Sequence, residues 1–282
     1  MTAPRKSPPA EPFFLAADSG SRFCLFHAPA QPENPTGAVI YVHPFCEEMN
    51  NSRRMAALQS RALAELGYGV LQMDLFGCGD SSGDLSEARW EIWKSDLALA
   101  QRWMEDRLPS PVTLWGLRLG ATLAMDYVND LERPVARLVL WHPILHGEAY
   151  LTQFWRMKLA SEMLSGDVKT GQTNAIRDQL AGGAPVEVAG YTLTPELVTA
   201  IDKLRLGALS RTSAPIHWFD APSKTGAHAT PAVAQAVAAL EERKMEVHLH
   251  LISGPAFWSA PEIGVSQPLL DATTTLFAGE TD

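Results

Sequence analysis

Cysteine, positive charge and long apolar stretches are all scarce in this chain of 282 residues, and each scarcity excludes a class of protein. The 3 cysteines are an odd and sparse set, which provides no disulfide framework and fits a reducing compartment. The net charge is -9, whereas binding to nucleic acid requires clusters of basic residues that neutralise phosphates. No run of about 18 apolar residues is present, so no transmembrane helix is expected. These features predict a cytoplasmic protein that binds no nucleic acid.

Cofactor and targeting motifs are missing as well. No group of His, Cys, Asp and Glu residues has the spacing of a metal site, and no glycine-rich loop has the pattern that cradles phosphates. We therefore expect no metal and no organic cofactor. Residues 1–12 are polar and rich in proline and lack the apolar stretch of a signal peptide, so they predict a disordered N-terminal lead.

Short apolar runs alternate with amphipathic helical stretches along most of the chain. Residues 13–27 predict a β-hairpin, with a turn at Asp18-Ser19-Gly20. Six further strands are predicted at 38–42, 69–73, 112–115, 137–141, 216–219 and 247–252, and helices at 51–66, 89–108, 119–131, 231–243 and 268–276. Alternation of this kind is typical of a mostly parallel sheet, here of about eight strands, with helices on both faces.

Residues 147–211 interrupt this alternation. They contain three helical stretches, at 149–164, 174–180 and 195–206, and no convincing core strand. We predict a helical cap inserted between two parts of an α/β core, which comprises residues 13–146 and 212–282. A cap in this position lies over the carboxyl ends of the strands, where open α/β sheets bind their ligands.

The segment Gly116-Leu117-Arg118-Leu119-Gly120 has the pattern of a nucleophile elbow. A strand precedes it, a helix follows it, and two glycines four residues apart flank a central polar residue, as in the α/β-hydrolase fold. The predicted fold is therefore an α/β hydrolase with a helical cap. Arginine is a permanent cation and cannot act as a nucleophile, so Arg118 excludes the usual acyl-serine mechanism.

Arg118 has two alternative uses. Beside the N-terminus of a helix, its planar guanidinium could hold a carboxylate or phosphate of a small, anionic substrate. Alternatively, it forms an internal ion pair with Glu47, Glu48 or Asp80 that closes or shapes the pocket. The sequence leaves both open.

The loop after the first core strand is the place where this fold provides an oxyanion-hole amide. We predict that the backbone N–H of Phe45 or Cys46 has this role, together with that of Leu119.

Glu47 and Glu48 follow in the same predicted loop. If both face the pocket, repulsion raises the pKa of one, which could then act as a general base on water. The alternative is that one pairs with Arg53, Arg54 or Arg118 and the other is solvated.

The remaining positions of a catalytic triad are only partly filled. Asp220 follows a strand where the acid normally stands, but the loop from Ser253 to Ser259 contains no histidine. His142 ends another strand and could reach the pocket. Cys46 and Cys78 are alternative nucleophiles, since a nearby arginine can lower a thiol pKa, but buried thiols are the more common case.

Five short motifs, spread from the first core strand to the last helix, resemble those of one family. The motifs are PF-x-EEMN-x-SRRM from Pro44, DLFGCGDSSG from Asp74, WGLRLGA from Trp115, Trp141-x-Pro143 with Gly147-Glu148, and Phe257-Trp258 with Glu262-Ile263. Together they are similar to the second of the two α/β-hydrolase-like proteins associated with the exosortase A system, which belongs to PEP-CTERM and exopolysaccharide loci. The resemblance implies a cytoplasmic, hydrolase-like accessory protein with an arginine elbow, and implies no particular substrate.

Two functions are compatible with these observations. The first is a hydrolase of a small ester or thioester with an anionic group, in which Arg118, Glu47 and Glu48 act on the substrate and His142 and Trp258 line its binding site. The second is a binding or scaffold protein on a degenerate hydrolase fold. In either case we expect a small-molecule partner and no membrane span, and we allow for a homodimer.

Overall fold

The computed structural model of the protein describes residues 8–129, 131, 135–165, 173–209, 212–260 and 262–279, with the side chains of 157–165 and 173–175 excepted. The first strand begins at Glu11, so the last two residues of the predicted disordered lead belong to the sheet. Residues 1–7 of that lead lie outside the described part of the chain.

Eight strands form the main sheet. They are β1 (Glu11–Ala16), β2 (Ser21–His27), β3 (Gly37–Val42), β4 (Tyr68–Met73), β5 (Val112–Leu117), β6 (Arg137–Trp141), β9 (Ile216–Asp220) and β10 (Val247–Leu251), with β7 (Val186–Val188) and β8 (Tyr191–Leu193) forming a separate hairpin. The order in the sheet is β1-β2-β4-β3-β5-β6-β9-β10. The pairs β1·β2 and β2·β4 are antiparallel, and the other pairs are parallel. The predicted α/β-hydrolase fold is confirmed.

Helices cover both faces of this sheet. The helices of the described residues are α1 (Glu47–Glu65), α2 (Trp90–Arg107), α3 (Leu119–Asn129), α4 (Gly147–Ser165), α5 (Thr173–Ala181), α6 (Pro195–Asp202), α7 (Pro231–Glu241) and α8 (Gln267–Ala278), and α4 to α6 pack mainly on one another and not on this sheet. Val39 and Tyr41 of β3 pack in the cluster that includes residues of α1 and α8, whereas Ile40 and Val42 pack in the cluster that includes residues of α2 and α3. Successive side chains of a strand point to opposite faces, so a strand between two helical layers is apolar throughout.

Helix α1 begins four residues earlier than the sequence pattern predicts. The sequence offers no Ser, Thr, Asn or Asp as a capping signal, because the residue before the helix is Cys46, at φ 50° and ψ -128°. Glu47 and Glu48 therefore lie in the first turn of a helix and not in a loop. Carboxylates are favourable there because the helix dipole and the free N–H groups favour negative charge.

Between β6 and β9 the chain contains the helices α4 to α6 and the hairpin β7–β8. The hairpin was not predicted, since each of its strands has only three residues. Ala189 and Gly190 form its turn, with φ of 52° and 83°, as expected where two consecutive residues must be left-handed. The division of the chain into a core and a cap remains a prediction.

The glycine-rich loop that begins at Asp74 has structural contacts. The Ser81 hydroxyl donates to the Asp74 carbonyl and accepts from the Phe23 amide of β2. A side chain at Gly79 would collide with the Asp74 carboxylate, which accepts hydrogen bonds from Arg53. The loop therefore connects the end of β4 to β2 and, through Arg53, to α1.

His27 makes the folded state sensitive to acid. Its ring is buried, and the Gln72 amide donates a hydrogen bond to Nε2, which must be unprotonated to accept it. Burial, with a smaller effect of the Arg61 charge, lowers the pKa of His27 to about 4. An unfolded histidine, with a pKa of about 6.5, binds its proton more readily, so stability is complete above pH 6.5 and is lost as the pH falls towards 4.

We expect the free energy of unfolding of the native protein to fall by about 2 kcal/mol more than that of His27→Gln between pH 7 and pH 5. Urea unfolding followed by circular dichroism at both pH values measures this difference. Equal losses in the two proteins would show that His27 does not contribute.

Candidate functional site

The turn between β5 and α3 is a strained elbow with Arg118 at its apex. Arg118 has a φ of 55°, in the left-handed region that non-glycine residues rarely adopt. A side chain at Gly116 would collide with the backbone of Ala121, and one at Gly120 would collide with the carbonyls of Val42 and His43. The two glycines therefore permit the turn, and the strain presents the Arg118 side chain at the carboxyl edge of the sheet.

Arg118 forms an ion pair with Glu48. Its Nε donates to Glu48 Oε1 at 3.2 Å, and its Nη1 donates to the His142 carbonyl at 3.4 Å. The two charged side chains are 17% and 16% exposed. Of the alternatives that the sequence left open, the internal ion pair is present, and its partner is Glu48.

Both carboxylate oxygens of Glu48 accept hydrogen bonds. The Tyr150 hydroxyl of α4 donates to Oε2 at 3.1 Å, opposite the bond from Arg118. Burial raises the pKa of Glu48, although the Arg118 charge and the hydrogen bonds from Tyr150 and Arg118 act in the opposite direction. Glu48 thus connects the elbow to α4.

Glu47 borders the same cleft as Glu48 but makes different hydrogen bonds. It is exposed, and its Oε2 accepts a hydrogen bond of 3.1 Å from the Tyr191 hydroxyl on the hairpin β7–β8. Asn50 donates to the same carboxylate at 3.4 Å. Adjacent residues on a helix point about 100° apart, so only one of the two glutamates can turn towards Arg118.

Aromatic rings enclose the guanidinium of Arg118. Its central carbon lies 5.1 Å from the Trp258 ring centroid and 5.8 Å from that of Tyr150. Trp258 also packs on the His142 ring, at a centroid distance of 4.5 Å. Trp258 lies in the loop where the catalytic histidine of this fold normally stands, and it packs against both polar groups.

His142 and Asp220 form a hydrogen-bonded pair. His142 Nδ1 donates to Asp220 Oδ1 at 3.3 Å, and His142 has a strained φ of 47°. Trp218 Nε1 donates to Asp220 Oδ2 at 3.0 Å, and the Ala221 amide donates to Oδ1 at 2.8 Å. Burial tends to raise the pKa of Asp220, but the hydrogen bond and charge of His142 and the two other donors outweigh it and lower that pKa.

Sequence reasoning named Asp220 and His142 separately and did not predict that they form a pair. A usable signal was present in the register of the sheet. β6 and β9 are neighbouring parallel strands in which Trp141 lies opposite Phe219. His142 comes one position after Trp141, and Asp220 comes one position after Phe219. The two side chains therefore lie next to each other. The order of strands in space was the missing information.

Two cavities meet at Arg118. One, of about 480 Å³, lies on the side of Glu48, and the other, of about 450 Å³, lies on the side of His142 and Asp220. Four residues line both of them, namely Arg118, Tyr150, Gln153 and Trp258. The cleft is therefore open even though Arg118 is paired.

The two cysteines that were alternative nucleophiles are unsuited to that role. Burial raises the pKa of the Cys46 thiol well above its ordinary value, and neighbouring Cys78, Glu48 and Glu47 add to the effect. Burial and the charges of Asp74 and Asp96 raise the pKa of Cys78 to about 12. Both thiols remain protonated near neutral pH, whereas a thiol acts as a nucleophile in its thiolate form.

Phe45 and Leu119 lie side by side below the cleft. Both line a small apolar gap with Trp93, and the Phe45 ring packs on those of Trp93 and Phe154. Their side chains thus belong to the core. Leu119 is the first residue of α3, where backbone N–H groups have no partner within the helix. The oxyanion role of the Leu119, Phe45 or Cys46 amide remains a prediction.

Metal-binding clusters and membrane-spanning helices are both absent from the described residues. These residues contain no group of three or more His, Cys, Asp or Glu side chains arranged to hold a metal ion. Of the helices in the same part of the chain, none combines the length and the apolar character that crossing a membrane requires.

Comparisons with known proteins agree with this fold. Residues 33–200, which include the elbow, match the family model described as serine aminopeptidase, S33. The human protein ABHD12B is 31% identical over 140 residues, which are 48% of this chain and 35% of that protein. The lysophosphatidylserine lipase ABHD12 of Danio rerio is 30% identical over 109 residues, which are 37% of this chain and 27% of the lipase. The matched part thus spans about a third of these curated relatives.

Among solved structures, the esterase Est1E from Butyrivibrio proteoclasticus, determined with bound ferulic acid, has a TM-score of 0.66 at 14% identity. The match covers 95% of this chain and 97% of the esterase, and at this identity it concerns the fold alone. With an eight-stranded sheet, a strained elbow after β5 and a family match over more than half of its length, the chain belongs to the serine aminopeptidase S33 family of α/β hydrolases, although Arg118 stands at the serine position.

Proposed function

We propose that the protein hydrolyses a small ester or thioester, with water as the nucleophile and His142 as the general base. The observation that supports this proposal most strongly is the His142–Asp220 pair, which opens on a cavity that Arg118 also lines. A histidine held by a carboxylate is the part of the hydrolase machinery that activates a nucleophile. Here no serine is available, so the group to be activated is water.

Distinct roles are proposed for the two residues of the pair. Asp220 accepts the Nδ1 proton of His142, which leaves Nε2 as the basic nitrogen. Within the described residues Nε2 has no hydrogen-bond partner. Water, losing a proton to Nε2, attacks the carbonyl carbon of the substrate. The protonated His142 then returns that proton to the leaving oxygen or sulfur as the bond to carbon breaks.

Arg118 is proposed to stabilise the negative charge that develops on the carbonyl oxygen. A guanidinium has five N–H donors, of which Glu48 and the His142 carbonyl occupy two. The remaining donors have no acceptor within the described residues, and the side chain lines both cavities. The amides of Leu119 and of Phe45 or Cys46 are proposed to assist, in the usual position of the oxyanion hole.

Glu48 is proposed to position Arg118 and not to act as the base. Both of its oxygens accept hydrogen bonds, from Arg118 and from Tyr150, so water would have to displace one of these donors. Glu47 faces Tyr191 outside this group and has no proposed part in catalysis. Trp258 packs on both Arg118 and His142 and is proposed to hold the two at a fixed separation.

An anionic group on the substrate is proposed as a further feature. The names of two similar proteins refer to anionic compounds, since one is a lysophosphatidylserine lipase and the other was determined with ferulic acid bound. Because Glu48 balances the charge of Arg118, an anion at Arg118 itself would compete with Glu48. The anion is thus better placed away from the elbow.

The resemblance to a family associated with the exosortase A system supports a proposal about the biological role of this activity. We propose that the protein is a cytoplasmic accessory hydrolase of that system, with residues 147–211 as a cap over the site and a homodimer as one assembly to be tested. The five motifs quoted above support the assignment to this system.

A second function is favoured by one observation, the absence of a nucleophilic side chain at the elbow. In this alternative the protein binds an acyl compound without turning it over, and the Arg118–Glu48 pair preserves the shape of the pocket. Saturable binding of an ester that remains intact would favour this function.

We expect His142→Gln to lower kcat for ester hydrolysis at least about a hundredfold, because it removes the general base. Asp220→Asn should lower kcat by a smaller factor, since the base remains but its orientation is lost. His248→Gln, on the exposed part of β10, is the matched control and should leave kcat unchanged. Spectrophotometric assays with 4-nitrophenyl esters measure these rates, and an unchanged rate in His142→Gln would exclude this mechanism.

We expect Arg118→Ala to lower the same rate sharply and Glu48→Gln to lower it less, because Glu48 acts through Arg118. The side chains of Arg118 and Glu48 are each less than a fifth exposed, and each variant leaves one of them without its partner. Each variant should therefore also lose about 1–3 kcal/mol of stability. Turnover and thermal unfolding of both variants and of the double variant provide the measurement. Full turnover in both single variants would contradict the proposed role.

We also expect a fluorophosphonate probe, which modifies activated serines, to leave the native protein unlabelled and fully active, because the elbow has no hydroxyl group. Labelling followed by mass spectrometry and a parallel rate assay test this. Complete inhibition with one probe bound per chain would indicate a serine nucleophile elsewhere.

A further inference from the structure

The cavity beside His142 continues outward to the surface. A third cavity, of about 440 Å³, shares three lining residues with it, namely His146, Ala149 and Gln153. Because the two have a common wall, they form one groove that leads from the His142–Asp220 pair to the outside of the molecule.

One face of α4 forms the wall along this groove. Ala149, Gln153 and Arg156 are separated by four and three residues, which places them on the same side of the helix. Ala149 and Gln153 line the inner and the outer part, whereas Arg156 lines the outer part alone. The separation of seven positions between Ala149 and Arg156 corresponds to about 10 Å along the helix axis.

The inner part of the groove is apolar next to His142. Ile144, Leu145 and Val233 contribute to its walls. A hydrocarbon segment that extends from a carbonyl at His142 would therefore be removed from water along this length.

The outer part of the groove is positively charged. Its lining contains Arg156 and Arg205 against a single carboxylate, Glu148. Arg205 pairs with Glu148 at 3.3 Å, and a backbone bridge to His146 holds Arg205 at the edge of the groove. The charge of Arg156 is thus not balanced by any other described lining residue. A positive site on a chain with a net charge of -9 favours an anion at this position over the rest of the surface.

We propose that this outer part is a subsite for a terminal oxyanion, a carboxylate or a phosphate, on the acyl arm of the substrate. The inference deepens the proposed function and rests on it. The ester or thioester carbonyl lies at His142, and the apolar part of the acyl chain follows the inner groove. A chain of about eight carbons, counted from the carbonyl to the terminal anion, matches the roughly 10 Å of α4 along the groove and brings the anion to Arg156 and Arg205. The substrate class is therefore an acyl compound with a charged end distant from the bond that is cleaved.

Matched esters test the subsite. The 4-nitrophenyl monoesters of pentanedioate, octanedioate and dodecanedioate are compared with the corresponding esters of pentanoate, octanoate and dodecanoate. We expect the ratio of kcat/KM between the anionic and the neutral ester to be greatest for the eight-carbon pair. Arg156→Gln should lower that ratio about three- to fivefold and leave the neutral ester unchanged, and 1 M NaCl should have a similar effect. Arg102→Gln, an exposed arginine on α2, is the matched control.

Calorimetric titration separates failure of the subsite from failure of the proposed function. Octanedioate, octyl phosphate and neutral octanol are titrated into the native protein and Arg156→Gln. Turnover of all esters with no charge preference, or equal binding of the three compounds, would overturn the subsite and leave the hydrolase proposal intact. Tighter binding of an anion that Arg156→Gln weakens, without any turnover, would support the subsite and overturn the catalytic proposal. The tighter of the two anions identifies its chemistry.

Discussion

The ion pair between Arg118 and Glu48 connects the parts of the protein that surround the cleft. Arg118 is held by the elbow after β5, Glu48 by the first turn of α1, and Tyr150, which bonds to Glu48, by α4. The guanidinium also packs between the rings of Tyr150 and Trp258. Each of these contacts depends on the others, because a charge this far from solvent requires its partner. The pair therefore determines which surfaces remain available to a ligand.

The consequence for chemistry is that the positive charge of the elbow is already balanced. Arg118 retains N–H donors towards the cavities but little net attraction for a second carboxylate. His142 and Asp220, at the ends of neighbouring strands, are the groups that remain able to move a proton. The outer groove at Arg156 and Arg205 is the place where positive charge exceeds negative charge. The proposed sites of proton transfer and of anion recognition are thus separated along α4.

Family membership suggests a serine nucleophile at the elbow, whereas the residue at the apex of the elbow is Arg118. The S33 family match covers the elbow, and the fold retains the glycines and the strained φ that present a nucleophile. Strain of this kind costs free energy and is often found where a side chain has a function. In this protein the side chain is an arginine, for which the proposed function is electrostatic. The proposed general base, His142, lies at the end of β6 and not in the loop that contains Trp258.

Local pattern was sufficient to determine the α/β fold, the elbow and most strands and helices, because apolar periodicity and glycine spacing act over a few residues. It also identified Arg118, Glu48, His142 and Trp258 as candidates, since each stands where a strand ends or a functional loop is expected. The contacts between residues that are distant in the sequence could not be predicted from local pattern. Which glutamate pairs with Arg118 depended on where α1 begins, and the strained residue Cys46 gave no capping signal. The His142–Asp220 pair depended on β6 lying beside β9, and the groove depended on one face of α4. Such contacts join residues that are tens of positions apart, so they were decided by tertiary packing and not by the sequence around each residue.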